Sequence, residues 1–153
     1  MAGRFTQIYI HLVFAVKNRK ALLHPDWDEG LYKYIAGIVN SKGHKALAIN
    51  GHWDHIHIFF GLNPTYALSD LVREIKKASS NWIKEEKITS FKFEWQSGYG
   101  AFSHNHDQLE TVITYIKNQK THHRKKKFKE EYVQMLEKWT VEYDEKYIFG
   151  ELK

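Results

Sequence analysis

The sequence predicts an α+β fold, a split β-α-β sandwich with a central antiparallel sheet and an added C-terminal helical region. Three observations predict it. Period-two alternation marks several short segments, a period of 3.6 marks others, and the order of the two is β-α-β-β-α-β followed by helices. That order is ferredoxin-like or RRM-like, and its first and third strands are central.

Phe5 to Val16 is the first strand: Ile8, Ile10, Leu12, Phe14 and Val16 fall on one face, Gln7, Tyr9, His11 and Val13 on the other. Pro25 opens a helix with Asp26, Asp28 and Glu29 at its positive end, and Ser41-Lys42-Gly43 closes it. His44 to Ile49 is a second strand, and Asn50-Gly51 reads as a two-residue hairpin turn into a third, His52 to Phe60. A second helix starts at Pro64-Thr65 or Ser69 and runs to about Glu86, with Leu68, Leu71, Val72, Ile75, Ala78 and Trp82 as its apolar stripe. A fourth strand spans Phe91 to Phe102, broken near Gly98 and Gly100. Asn105 or Asp107, with Glu110 behind it, caps a third helix through Lys120 whose buried stripe is Leu109, Val112, Ile113 and Ile116. Phe128 to Trp139 is a last helix and Tyr143 to Phe149 an aromatic tail. The whole chain, 1–153, reads as a single domain: a core over 1–104, a helix over 105–123, and a C-terminal helix and tail over 124–153.

Composition narrows the chemistry. With 42% hydrophobic residues, 9 Gly and 2 Pro the chain can fold, and with no Cys it has neither disulfides nor thiolate metal sites. Any metal site must be built from His, carboxylate or amide ligands. No stretch approaches the ~18 apolar residues that span a bilayer, and the N-terminus lacks the apolar run of a leader, so no membrane role and a cytoplasmic location are expected. The formal charge of +5 is concentrated: Lys117 to Lys129 holds seven Lys or Arg and no acid, and residues 130–153 hold three basic against seven acidic. Such a run is a solvated face or a phosphate-contacting surface.

Two constellations carry chemistry. His55 and His57, two apart on a strand, project from one sheet face about 7 Å apart, within reach of one cation. Tyr9 and His11 of the neighbouring strand are expected on the same side. Spacing alone equally suits two histidines solvating an open face, since a metal needs a third ligand from elsewhere; Asp54 falls on the opposite face by alternation. On the third helix Tyr115, Gln119, His122 and Lys126 form a strip beside the buried stripe. Tyr115 is there either a nucleophile, which at its ordinary pKa of about 10 would need help from a cation, or an amphipathic edge residue.

Together, His55-Ile56-His57 on a strand and Tyr115 with Gln119 four residues on along a later helix resemble the HUH single-strand DNA endonucleases. More narrowly, they resemble the single-tyrosine, insertion-sequence-200-like transposases. The resemblance extends over "YIHLVFAVKNRK", "WDHIHIFF", "FEWQSGYGAFS", "YIKNQKTHH" and "EEYVQMLEKWTVEYDEKYIF", nearly the whole chain. It implies that His55, His57 and Gln119 hold Mg²⁺ or Mn²⁺. It also implies that Tyr115 attacks single-stranded DNA at hairpin-flanked ends, leaving a 3′-hydroxyl and a 5′-phosphotyrosine that a second strand can rejoin. It implies a homodimer, in which the tyrosine helix can act in trans.

Candidate DNA contacts are Lys117, Lys120, His122, Arg124 and Lys126 in the basic run, with Trp53, Tyr9 and His11 near the histidine strand; Trp95 and Tyr99 could also stack on bases. His104 and His106 read as loop residues beside a helix start. Two other readings stand: a non-catalytic single-stranded nucleic-acid binder on an RRM-like sheet, and a domesticated relative that nicks hairpins for its host.

Overall fold

The computed structural model describes residues 5–19, 23–90, 92–119 and 128–138. The elements are β1 (Tyr9–Ala15), α1 (Asp28–Ser41), β2 (Lys45–His52), β3 (His55–Gly61), α2 (Leu68–Glu85), β4 (Gly100–His104), α3 (Leu109–Lys117) and α4 (Phe128–Lys138). The four strands form one antiparallel sheet in the order β2-β3-β1-β4, with the first and third strands central as expected.

Alternation decides what each face of that sheet meets. Leu12, Phe14 and Val16 of β1 and its exit join Ile56, Ile58 and Phe60 of β3 in an apolar core with Leu31, Ile35 and Val39 of α1 and Leu71, Val72, Ile75 and Ile83 of α2. Ser79 and Ile83, rather than Ala78 and Trp82, are the buried residues in the last turns of α2, because the 3.6-residue period drifts around so long a helix. Ser79 is a polar group in this core, satisfied on both sides: its Oγ donates to the Ile75 carbonyl (2.6 Å) and accepts from Trp95 Nε1 (2.8 Å).

On the other face Phe59 packs against Val112 and Ile116 of α3, while Val13, Ala15 and Phe102 pack against Tyr132 and Leu136 of α4. Gly100 makes the second contact possible, since a Cβ there would lie 2.7 Å from Tyr132 Cε1.

Four expectations about boundaries change. The β2–β3 turn is not at Asn50-Gly51: both residues are paired in the ladder, Gly51 with Ile56, and the chain reverses at Trp53 and Asp54, with Trp53 at φ 52°. Gly51 is required by crowding instead, because a Cβ there would sit 2.3 Å from the His55 carbonyl oxygen. The first strand is shorter than Phe5 to Val16, and Val16 instead makes a single bridge with Trp95. The fourth strand begins only at Gly100, after an irregular 92–99. The third helix ends at Lys117, where Asn50 Nδ2 donates to the Ile116 and Lys117 carbonyls (both 3.0 Å) and satisfies the helix's last acceptors from β2. Asn105 caps the 3-10 turn His106–Gln108 that leads into that helix, its N–H donating to Gln108 Oε1 at 3.1 Å, and the N-cap of the helix itself is Gln108.

Candidate metal centre and tyrosine site

β3 aims His55 and His57 at the face covered by α3 and α4, and both imidazoles are fully buried. Each ring has a partner at Nδ1. Asp54 Oδ1 lies 2.8 Å from His55 Nδ1, and His11 Nε2 lies 2.7 Å from His57 Nδ1. Asp54 is therefore not a candidate first ligand. Standing at the turn, it reaches the ring from behind.

The Nε2 atoms face a converging set of acceptors. Gln119 Oε1 is 3.2 Å from His55 Nε2. A carboxylate oxygen of Glu131, from α4, is 3.3 Å from His57 Nε2 and 3.8 Å from His55 Nε2. Gln119 Nε2 donates to the other Glu131 oxygen at 3.3 Å and to the Tyr115 carbonyl at 3.4 Å, which fixes its amide with the oxygen toward His55. One ligand atom each from His55, His57 and Glu131 lie within 4.8 Å of one another. With Asp54 Oδ1 accepting from the His55 Nδ1–H, the Nε2 lone pair points at an amide oxygen and a carboxylate. Acceptors facing acceptors are reconciled only by a proton or a cation, so the donor set fits a divalent metal.

Burial raises the Glu131 carboxyl from 4.5 to about 7, against a lowering by His55 and with a further rise from Asp54. His11 is held well below the ordinary imidazole value by burial, then by His57 and His104.

Tyr115, on α3, is half-buried, with its ring edge-on to His57 at 5.8 Å and to His11 at 6.3 Å. It shares with His11, Gln108, Glu131 and Met135 the wall of a cavity of about 500 Å³ between α3, α4 and the sheet. Tyr115 in the wall of this cavity, beside a His-His-Glu cluster able to hold a metal, is a constellation suited to attack on phosphorus.

The structure thus brings His55, His57, Gln119 and Tyr115 together within one chain and adds Glu131, which the sequence reading had not singled out. A signal for Glu131 was present: it is an acid one turn before Met135 and next to Tyr132, on the apolar side of its helix. His11, expected among the DNA contacts, is 3% exposed and hydrogen bonded to His57. Tyr9 is half-buried, its ring 6.4 Å from Phe59. Trp53 is half-buried at the β2–β3 turn with its ring 5.3 Å from His24, and Lys117 is exposed at the end of α3. Trp95 is buried in the core, while Tyr99 is exposed. Lys120, His122, Arg124, Lys126 and the tail Tyr143 to Phe149 lie outside the described residues.

Comparison with known proteins places this geometry in context. Residues 4–119 match the family model described as "Transposase IS200 like". The chain is 28% identical over 123 residues to the ISDra2 transposase TnpA of Deinococcus radiodurans, covering 76% of this chain and 87% of that protein. Among solved structures, one assigned to a transposase from Deinococcus radiodurans superposes with a TM-score of 0.63 at 22% identity, over 78% of this chain and 96% of the other. A REP-associated tyrosine transposase bound to a REP hairpin superposes with a TM-score of 0.58 at 17% identity, over 80% and 74%. Among the described residues no helix is long and apolar enough to cross a membrane.

Proposed function

The chain belongs to the IS200-like transposases, and from that premise we propose that it nicks and rejoins single-stranded DNA at hairpin-flanked ends through a 5′-phosphotyrosine on Tyr115. The observation that carries the reading is the shared cavity wall: Tyr115 and Glu131 line one space, and Glu131 also lies in one cluster of potential ligand atoms with His55 and His57. The hairpin bound by the structurally similar REP-associated transposase supports a hairpin substrate here.

His55, His57 and Glu131, with Gln119 bridging them, are the residues that would hold Mg²⁺ or Mn²⁺. When bound, a divalent cation supplies charge withdrawal from a phosphate oxygen and stabilises the departing oxygen. The remaining chemistry belongs to the chain. The Tyr115 oxygen bonds to phosphorus as the bond from phosphorus to the 3′ oxygen breaks. The departing oxygen leaves as a 3′-hydroxyl, the proton given up by the phenol balancing the one it gains. Attack by another 3′-hydroxyl on the phosphotyrosine reverses the exchange and rejoins DNA without a nucleotide cofactor. Asp54 and the Asn50 cap hold the His55 ring and the end of the tyrosine helix in place.

The catalytic unit comprises the sheet core, the helix bearing Tyr115 and the C-terminal helix bearing Glu131. Exposed Lys117, with Lys120, His122, Arg124 and Lys126 following it in sequence and Trp53 at the β2–β3 turn, would track the DNA backbone and bases.

The test is incubation with end-labelled single-stranded hairpin DNA and Mn²⁺, followed by a denaturing gel. A covalent protein–DNA band is expected, lost on EDTA treatment and in Tyr115→Phe. A band that persists in Tyr115→Phe sinks the nucleophile assignment. Hairpin binding without any cleavage would favour a non-catalytic binding module.

A further inference from the structure

The two histidines are backed differently, and the difference assigns a role to a residue outside the cluster of potential metal ligands. A ring nitrogen that binds a cation cannot carry a proton, so a histidine ligating through Nε2 must keep its proton on Nδ1 and place that N–H against an acceptor. For His55 the acceptor is the Asp54 carboxylate. For His57 the atom in that position is Nε2 of another imidazole, His11, at 2.7 Å.

We propose that His11 is a positioning residue of the metal centre, whose Nε2 accepts the His57 Nδ1 proton and so holds Nε2 of His57 ready for the cation. The inference rests on the metal reading above. Sheet geometry explains how the two meet. In the β1–β3 register His11 lies opposite Phe59 and His57 opposite Val13, so the two histidines are diagonal neighbours on one face. Their ring centroids lie 4.9 Å apart with 29° between planes, the near-coplanar, edge-to-edge arrangement that an N–H···N bond between two imidazoles requires.

Burial argues against a filler role. His11 is 3% exposed with the Phe59 and Phe102 rings around it, a place an apolar side chain could occupy without the cost of burying two polar nitrogens. What the imidazole adds is an acceptor at the back of His57. The arrangement also leaves the site asymmetric, with an anionic partner behind one histidine and a neutral one behind the other.

The test compares His11→Gln, which keeps an acceptor at about the same reach, with His11→Met, which has similar bulk and no comparable acceptor. The readout is Mn²⁺ affinity of the DNA-free protein, measured by calorimetry or by the electron paramagnetic resonance of free Mn²⁺. Loss of a hydrogen-bond partner behind a ligand typically costs about 10–100-fold in affinity, so His11→Met is expected to fall in that range and His11→Gln to stay within a few-fold of wild type. Equal affinity in His11→Met and wild type overturns the proposal, as does equal weakening in both variants. A second measurement needs no variant: ¹⁵N-resolved spectra of the Mg²⁺-loaded wild type should show His57 protonated at Nδ1, and protonation at Nε2 overturns the assignment even if His11→Met does not fold. A wild-type protein that binds no Mn²⁺ at all overturns the metal reading, and this one with it.

Discussion

The two faces of the sheet are built from the same strands, yet they do different work. The face toward α1 and α2 is packed with Leu, Ile, Val and Phe, its buried hydroxyl at Ser79 satisfied on both sides. The face toward α3 and α4 buries His11, His55, His57, Gln119 and Glu131 within a thin apolar surround. One residue along a strand separates the two environments, since neighbours on β3 such as Ile56 and His57 point to opposite sides. Stability and chemistry are thereby segregated by parity. Half of each central strand holds the sheet to its helices, and the other half presents polar groups whose burial is unfavourable without mutual hydrogen bonds.

That division can be broken by experiment. The largest effect is expected at the proposed metal ligands. His55→Gln should lower covalent adduct formation by about 10³-fold, equivalent to about 4 kcal/mol of barrier, while moving the urea midpoint less than a core truncation does. Next, Leu71→Ala on the opposite face should cost about 2–5 kcal/mol of stability in denaturant melts, with adduct yield per folded molecule unchanged. Lost activity beyond the unfolded fraction would show that the faces are coupled.

A pH measurement sharpens the contrast further. Burial raises the Glu131 carboxyl from 4.5 to about 7 in the folded, metal-free protein. Between those values the folded state keeps a proton that the unfolded chain has released, so stability should fall as pH rises from about 4.5 to about 7, by up to about 3 kcal/mol. The loss persists above pH 7, and Glu131→Gln should remove the slope. The smallest effect is expected at the seam between β2 and α3: Asn50→Ala removes two bonds to helix-end carbonyls and should cost about 1 kcal/mol in the same melts.

The sheet order and the parity of β1 and β3 were legible because alternation is a local property, written residue by residue from Tyr9 to Ala15 and His55 to Gly61. The histidine pair was legible for the same reason, lying within one strand, whereas Tyr115 and Gln119 were read on one helix although α3 ends at Lys117, two residues before Gln119. Gly51 misled because Asn-Gly is a strong turn signal, whereas here the glycine answers a close approach of the His55 carbonyl that only the folded ladder creates. Glu131 and His11 were opaque in a different way. Their roles depend on which element docks beside β3, and a single sequence names no long-range partner for an isolated acid or imidazole.

Tyr132 seated over Gly100 has a consequence for binding. The helix that supplies Glu131 holds to the sheet through a small cluster, Tyr132 and Leu136 against Val13, Ala15 and Phe102. On the metal reading proposed above, the affinity of the complete ligand set would be scaled by the fraction of molecules in which that helix is seated. By reciprocity, a cation that prefers the complete set draws the helix down and stiffens the cavity wall with it. A side chain at position 100 large enough to lift Tyr132 would then act as a dial on metal occupancy from outside the ligand sphere.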